Sequence, residues 1–205
     1  YGYDNIVPQT NLWKVSPVRE DSTRVLEYEA KRILAEKYAE LYPECGLDRK
    51  HIDMIVSASS LHDLGKISIP DSILMKPGRL TKDEFEYMKS HTIRGCEILD
   101  SMKIEWEPES RQISYDIIRH HHEKYDGGGY PDGLKGDEIP LPAQLVSVAD
   151  VYDALVNERC YKDAYSTDEA FRMIVNGECG VFSPRLMEVF RNVRDRFEEL
   201  AKSPV

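Results

Sequence analysis

The chain has 205 residues, a hydrophobic fraction of 41%, a charged fraction of 31% and a formal net charge of −10. That length suits one large domain or two small ones, and the composition excludes a disordered, collagenous or low-complexity protein. No run approaches the roughly 18 apolar residues that span a bilayer, and the acidic balance disfavours a nucleic-acid polymer as partner, since that affinity comes largely from Lys and Arg neutralising phosphates.

Residues 1–20, with Pro8 and Pro17, read as a linker or arm. Opening on Tyr1 without Met or a signal peptide, the sequence is expected to be part of a longer protein. From Ser22 to about Tyr42, Val25, Tyr28, Ile33, Leu34, Tyr38 and Leu41 form one apolar stripe of a helix. Asp48 is a candidate cap for a second helix carrying Ile52, Ile55, Val56, Ser59 and His62 inward, broken by Gly65. A loop follows, marked by Pro70 and Pro77-Gly78. Thr81-x-x-Glu84 resembles a capping box for a third helix through Met102, with His91 beside its stripe.

A helix from about Glu109 runs into His120-His121-His122, and the glycine-rich residues 123–141 form a long loop. Leu145 to Leu155 mark the next helix, Ser166 or Thr167 caps another, and Pro184 opens a last one ending near Ala201. No segment alternates like a strand, so the expected fold class is all-α. Four cysteines without a C-x-x-C pair fit reduced thiols in the cytoplasm and argue against a thiolate zinc site.

The chemistry gathers at the buried side or the ends of these helices. There a lone His or Asp is costly unless paired. His62-Asp63, His91, His121-His122 and Asp150 make a mixed imidazole and carboxylate shell suited to first-row transition metals. A carboxylate in such a shell can bridge two cations that clamp a phosphoryl oxygen. Any one of these histidines alone is more often an ordinary core residue, and on a helix the side chains of His121 and His122 would point about 100° apart.

The joint pattern carries more weight than its parts. His62-Asp63-Leu64-Gly65-Lys66, then His91, then His121-His122-Glu123-Lys124-Tyr125-Asp126-Gly127-Gly128-Gly129-Tyr130-Pro131, then Ala149-Asp150-Val151-Tyr152-Asp153-Ala154 resembles the HD-GYP family of the HD superfamily. The likeness implies an HD-type helical domain over residues 21–205 with a long glycine-rich loop. It implies a bacterial, metal-dependent phosphodiesterase that cleaves cyclic di-GMP to pGpG, with GMP as the product should a second cut follow.

Carried over by position, the resemblance makes His62, Asp63, His91, His121, His122 and Asp150 metal ligands, with Asp63 as the bridge. Lys66 is expected to touch a substrate phosphate, Arg159 and Lys162 to hold the phosphates, and Gly127, Gly129 and Tyr130 to shape the loop beside the substrate. His120 has no role in the family pattern. Two divalent ions are implied, Fe or Mn before Zn or Ni, along with an upstream sensor or receiver module. The last helix is a candidate homodimer surface.

One departure stands out. Where the family has His ahead of its Arg-Val pair, this chain has Asp21 ahead of Arg24-Val25, and Pro17 stands where some members carry a third-metal Glu. Asp21 is a candidate oxygen ligand or an ordinary helix cap. Two rival readings follow: a domain that binds the dinucleotide without cleaving it, and a phosphohydrolase acting on another nucleotide such as cyclic GMP-AMP.

Overall fold

The computed structural model describes residues 22–157 and 164–202. Among the described residues the regular structure is helical throughout: α1 Ser22–Leu41, α2 Arg49–Ala58, α3 Asp71–Leu74, α4 Lys82–Lys89, α5 His91–Ser101, α6 Pro108–His120, α7 Leu141–Val156, α8 Thr167–Val175, α9 Pro184–Asn192 and α10 Arg194–Lys202. No helix among them is long and apolar enough to cross a membrane.

Helix starts follow the side chains that satisfy their free N–H groups. Asp48 accepts from the His51 amide at 2.9 Å. Thr81 and Glu84 form a reciprocal capping box, as do Ser166 and Glu169. Pro108 and Pro184 occupy first-turn positions behind the caps Glu107 and Ser183.

Helix α1 packs against α2, α7, α9 and α10. Its buried Ala30, Ile33, Leu34 and Tyr38 meet Ile55, Leu145, Tyr152, Leu155, Phe190 and Phe197 in the main core. Burying each large apolar side chain there contributes about 1.5–3 kcal/mol. A smaller cluster of Cys96, Leu99 and Ile118, flanked by Leu61, Leu64 and Trp106, ties α5 to α6.

Three sequence expectations need correction. The second predicted helix ends at Ala58 and passes through 3-10 turns at Ser59–Leu61 and Leu64–Ser68, so His62-Asp63 sit at the joint between turns. Ser59 Oγ donates to the Val56 carbonyl at 2.7 Å, a local bond that competes with continued helix. The third predicted helix is two, divided at Ser90, whose hydroxyl likewise bonds the Tyr87 carbonyl at 2.6 Å. The last is also two, divided at the fully buried Val193.

Gly65 matters for a different reason than helix breaking. A Cβ there would lie 1.8 Å from the His91 carbonyl oxygen and 2.5 Å from the Gly95 amide nitrogen. The 3-10 turn therefore lies directly on α5, which brings His91 beside Asp63.

Candidate metal centre

Four segments deliver the donor groups. The turn after α2 carries His62 and Asp63, the first residue of α5 is His91, the end of α6 leads into His121 and His122, and α7 carries Asp150. His121 caps α6 in helical conformation (φ −64°, ψ −12°), and His122 follows it directly. Their ring centroids are 4.0 Å apart and both face the same cluster.

The histidines are oriented through their Nδ1 atoms. His62 Nδ1 lies 2.8 Å from the Ser59 carbonyl, and His91 Nδ1 lies 2.8 Å from the Met88 carbonyl. His121 Nδ1 lies 2.9 Å from the Ile117 carbonyl and 3.2 Å from that of Ile118. A carbonyl only accepts, so each Nδ1 carries a hydrogen; in the imidazoles that stay neutral, His91 and His121, Nε2 then keeps its lone pair. Fixing the far nitrogen in this way is how proteins orient metal-binding imidazoles.

Those Nε2 atoms converge on Asp63. His91 Nε2 is 3.6 Å and His121 Nε2 4.0 Å from Asp63 Oδ1. The two Nε2 atoms are 3.5 Å apart. One donor atom from each of Asp63, His91, His121 and His122 lies within 4.8 Å of every other. On the other side, His62 Nε2 approaches Asp63 Oδ2 at 3.4 Å and Asp150 Oδ1 at 3.7 Å.

The electrostatics suit a cation. Burial pushes His91 down to about 4 and His121 down to about 3, so both stay neutral near pH 7 and offer lone pairs. Burial also lowers His122. Burial opposes charge on Asp63, yet Lys66 and His62 hold its carboxyl well below the usual carboxylate range. Asp150 is likewise opposed by burial and held low by His62. Burial pulls His62 down too, but the Asp63 charge and the approach of Asp150 outweigh it and push His62 up to about 10.

Asp63 Oδ1 is buried with no hydrogen-bond partner. A buried carboxylate oxygen left this way, facing neutral imidazole lone pairs, is costly for a protein interior. A divalent cation satisfies all of these atoms at once. The donor set therefore fits a metal site.

Lys66 is buried beside this cluster, its Nζ 2.5 Å from Asp63 Oδ2. Tyr130 stacks on His122 with centroids 4.9 Å apart and planes 30° apart, and its amide donates to the His122 carbonyl at 3.3 Å. Gly127 turns the loop with φ +85°. Gly129 lies so close that a Cβ would be 2.3 Å from Glu123 Cα and from the Lys124 nitrogen. Asp21, Arg159 and Lys162 lie outside the described residues.

Of the residues that hold the loop, Glu123 stands in the motif with no role assigned to it, while Arg119 and Asp132 lie outside the motif. Glu123 is buried and accepts from the amides of Asp132, Gly133 and Leu134 at 2.7, 3.1 and 3.1 Å. Arg119 donates twice to Asp132 at 2.7 Å, and His120 Nε2 lies 3.0 Å from it, so the third histidine is a loop strut. A carboxylate directly after a His pair, leading into a glycine-rich loop, is the available signal for Glu123. The Arg119–Asp132 pair has no such signal, because its members lie on opposite sides of that loop.

A family model described as "HD domain" matches residues 20–182. The chain belongs to the HD-domain family. Its motifs place this HD domain in the HD-GYP branch. It is 42% identical to the cyclic di-GMP phosphodiesterase response regulator RpfG of Xanthomonas campestris pv. campestris, over 77% of this chain and 40% of that protein. It is 41% identical to a cyclic di-GMP phosphodiesterase of Vibrio cholerae, over 83% of this chain and 35% of that one. It is also 43% identical to a 3'3'-cGAMP-specific phosphodiesterase 2 of Vibrio cholerae, over 80% of this chain and 30% of that one. The HD domain thus spans well under half the length of these relatives. The same fold occurs in the solved structure of Bd1817, a HDG"Y"P protein from Bdellovibrio bacteriovorus. There the TM-score is 0.60 at 20% identity, covering 85% of this chain and 53% of that one.

Proposed function

We propose that this HD domain is a metal-dependent phosphodiesterase that hydrolyses cyclic di-GMP to pGpG, with GMP as the product of any second cut. The observation that carries the reading is the convergence of imidazole Nε2 atoms on the orphaned Asp63 oxygen, with Lys66 buried alongside. The likeness to cyclic di-GMP phosphodiesterases supports the substrate.

In this reading His62, Asp63 and Asp150 would hold one divalent ion, with Asp21 a candidate oxygen ligand in the family's His place or an ordinary helix cap. Asp63, His91, His121 and His122 hold the other. Iron or manganese suits this nitrogen and oxygen set, with zinc or nickel as substitutes. Such ions supply Lewis acidity and make water a competent nucleophile near neutral pH.

The chain's own groups do the rest. Lys66 Nζ opposes the negative charge that grows on the phosphoryl oxygens as the diester is attacked. Arg159 and Lys162 hold the phosphates of the cyclic dinucleotide. Tyr130 and the glycines Gly127 and Gly129 form the wall beside it. The reading places the domain in the bacterial cytoplasm, joined to an upstream sensor or receiver module, and leaves the last predicted helix, which is α9 and α10 together, as a candidate homodimer surface.

Anaerobic protein loaded with Fe(II) or Mn(II) is expected to convert cyclic di-GMP to pGpG. Full metal occupancy with the substrate left intact would overturn the proposal. The likeness to a 3'3'-cGAMP-specific enzyme favours a second reading, which a panel holding both cyclic dinucleotides separates. Tight binding without turnover would instead support a signalling domain disabled at Asp21.

A further inference from the structure

Among the polar groups in the protein interior, Glu123 stands apart. It neighbours the cluster in sequence, yet its carboxylate turns away to bind backbone. Oε1 accepts from the amides of Asp132 and Gly133, and Oε2 from that of Leu134. Three successive amides on one buried carboxylate form a strong charge-assisted clamp.

The clamp has a geometric consequence upstream. Asp132 to Leu134 follow directly on Tyr130-Pro131 in the chain. Fixing them to Glu123 fixes where Tyr130 can stand. Gly129 adds to this, because the loop crosses the Glu123 and Lys124 backbone within the space of a methyl group. Tyr130 is then held twice against His122, by its amide on the His122 carbonyl and by its ring on the imidazole. Its ring also meets His91 edge-on, with centroids 6.5 Å apart. Lys89 Nζ lies over the Tyr130 ring, 5.5 Å from its centroid.

We propose that Glu123 is a positioning residue for the metal centre: through its clamp on residues 132–134 it seats Tyr130 on His122 and so fixes the plane of that imidazole. This inference rests on the reading of the cluster as a metal site. Ser59, Met88 and Ile117 orient His62, His91 and His121 through backbone carbonyls, and at His122 the loop adds an aromatic face.

The test uses Mn(II) titration of the whole chain, with no nucleotide present, and amide hydrogen exchange. Glu123→Gln keeps the shape but puts an amide NH2 where a carboxylate oxygen accepts. The expected result is a folded protein whose amides at 132–134 exchange faster and whose Mn(II) binding weakens by about 10- to 100-fold, the usual effect of losing a group that orients a ligand. Tyr130→Leu is expected to weaken Mn(II) similarly while the amides at 132–134 stay protected. A purely structural Glu123 would lower the melting temperature and leave the Mn(II) affinity of the folded protein unchanged. Mn(II) affinity within about twofold of wild type in Glu123→Gln would overturn the inference, as would the same result in Tyr130→Leu should Glu123→Gln not fold. Wild-type protein that holds no Mn(II) would overturn the metal-site reading itself. Wild-type binding that neither substitution alters would overturn this inference alone.

Discussion

Lys66 and Asp63 are joined across three residues, with Nζ 2.5 Å from Oδ2 at the edge of the histidine cluster. The ammonium is buried, so it acts where the dielectric is low and water does little to screen it. Lys66→Met removes the charge while keeping an unbranched side chain. It is expected to lower kcat/KM for cyclic di-GMP by about 100-fold, the scale for losing one group that opposes developing charge. Metal content should persist. Steady-state kinetics on metal-loaded protein checks this, and unchanged kcat/KM would remove Lys66 from the mechanism.

Gly65 offers a test of how the site is assembled. A methyl group at that position meets the His91 carbonyl at 1.8 Å, against backbone that cannot yield as a side-chain tip would. Gly65→Ala is expected to destabilise the fold by about 3 kcal/mol, the upper range for overpacking, and to weaken metal binding because α5 carries His91. Urea unfolding beside metal titration measures both. Wild-type stability would contradict the close approach.

Much of this was legible in the sequence. Periodic apolar positions located α1, α2 and α7, and the caps at Asp48, Thr81 and Ser166 and the first-turn Pro184 marked helix starts, since both signals are local. The donor residues were legible because their types are costly inside a protein unless paired. The breaks at Ala58 and Ser90 were not, because a serine bonding back to the chain is only one of the options its side chain has, and the break at Val193 was not, because it falls at a fully buried apolar residue. That His121 and His122 share one site was not legible either, because adjacent helical positions diverge and only the three-dimensional path brings both rings to the cluster. The clamp from Glu123 and the strut from Arg119 and His120 needed the loop's path, which no local pattern encodes.

The strut carries a pH prediction. The bond from Arg119 holds the Asp132 carboxyl below its ordinary value, against the opposing effect of burial, and His120 adds to it. A carboxylate lowered on folding stabilises the protein above its unfolded pKa, near 4, and that contribution is lost as pH falls through the lower folded value. Asp132→Asn should therefore be less stable than wild type by about 1 kcal/mol at neutral pH. The gap should close as acidity increases below about pH 4. Urea unfolding of both proteins across that range decides it. A gap that stays constant would mean the charge on Asp132 is not what stabilises the loop.

The core separates stability from chemistry. Phe190 is fully buried, stacked on Phe171 at 4.7 Å and edge-on to Phe197 at 5.5 Å. Phe190→Ala is expected to cost about 3–5 kcal/mol through lost burial and the cavity left behind. It lies in the main apolar cluster, of which no donor residue is a member. Below its unfolding transition the variant should keep wild-type metal content, and loss of metal in still-folded protein would show that the core and the site are coupled.

The central claim is that imidazoles and carboxylates from separate segments meet as one metal centre around Asp63. The most direct measurement is the metal content of anaerobically purified protein, set against the same measurement on Asp63→Ala. The account predicts about two divalent ions per chain in the wild type, removable by chelator, and little or none in the variant, because a bridging carboxylate serves both ions. Wild-type protein that retains no more metal than Asp63→Ala would contradict it.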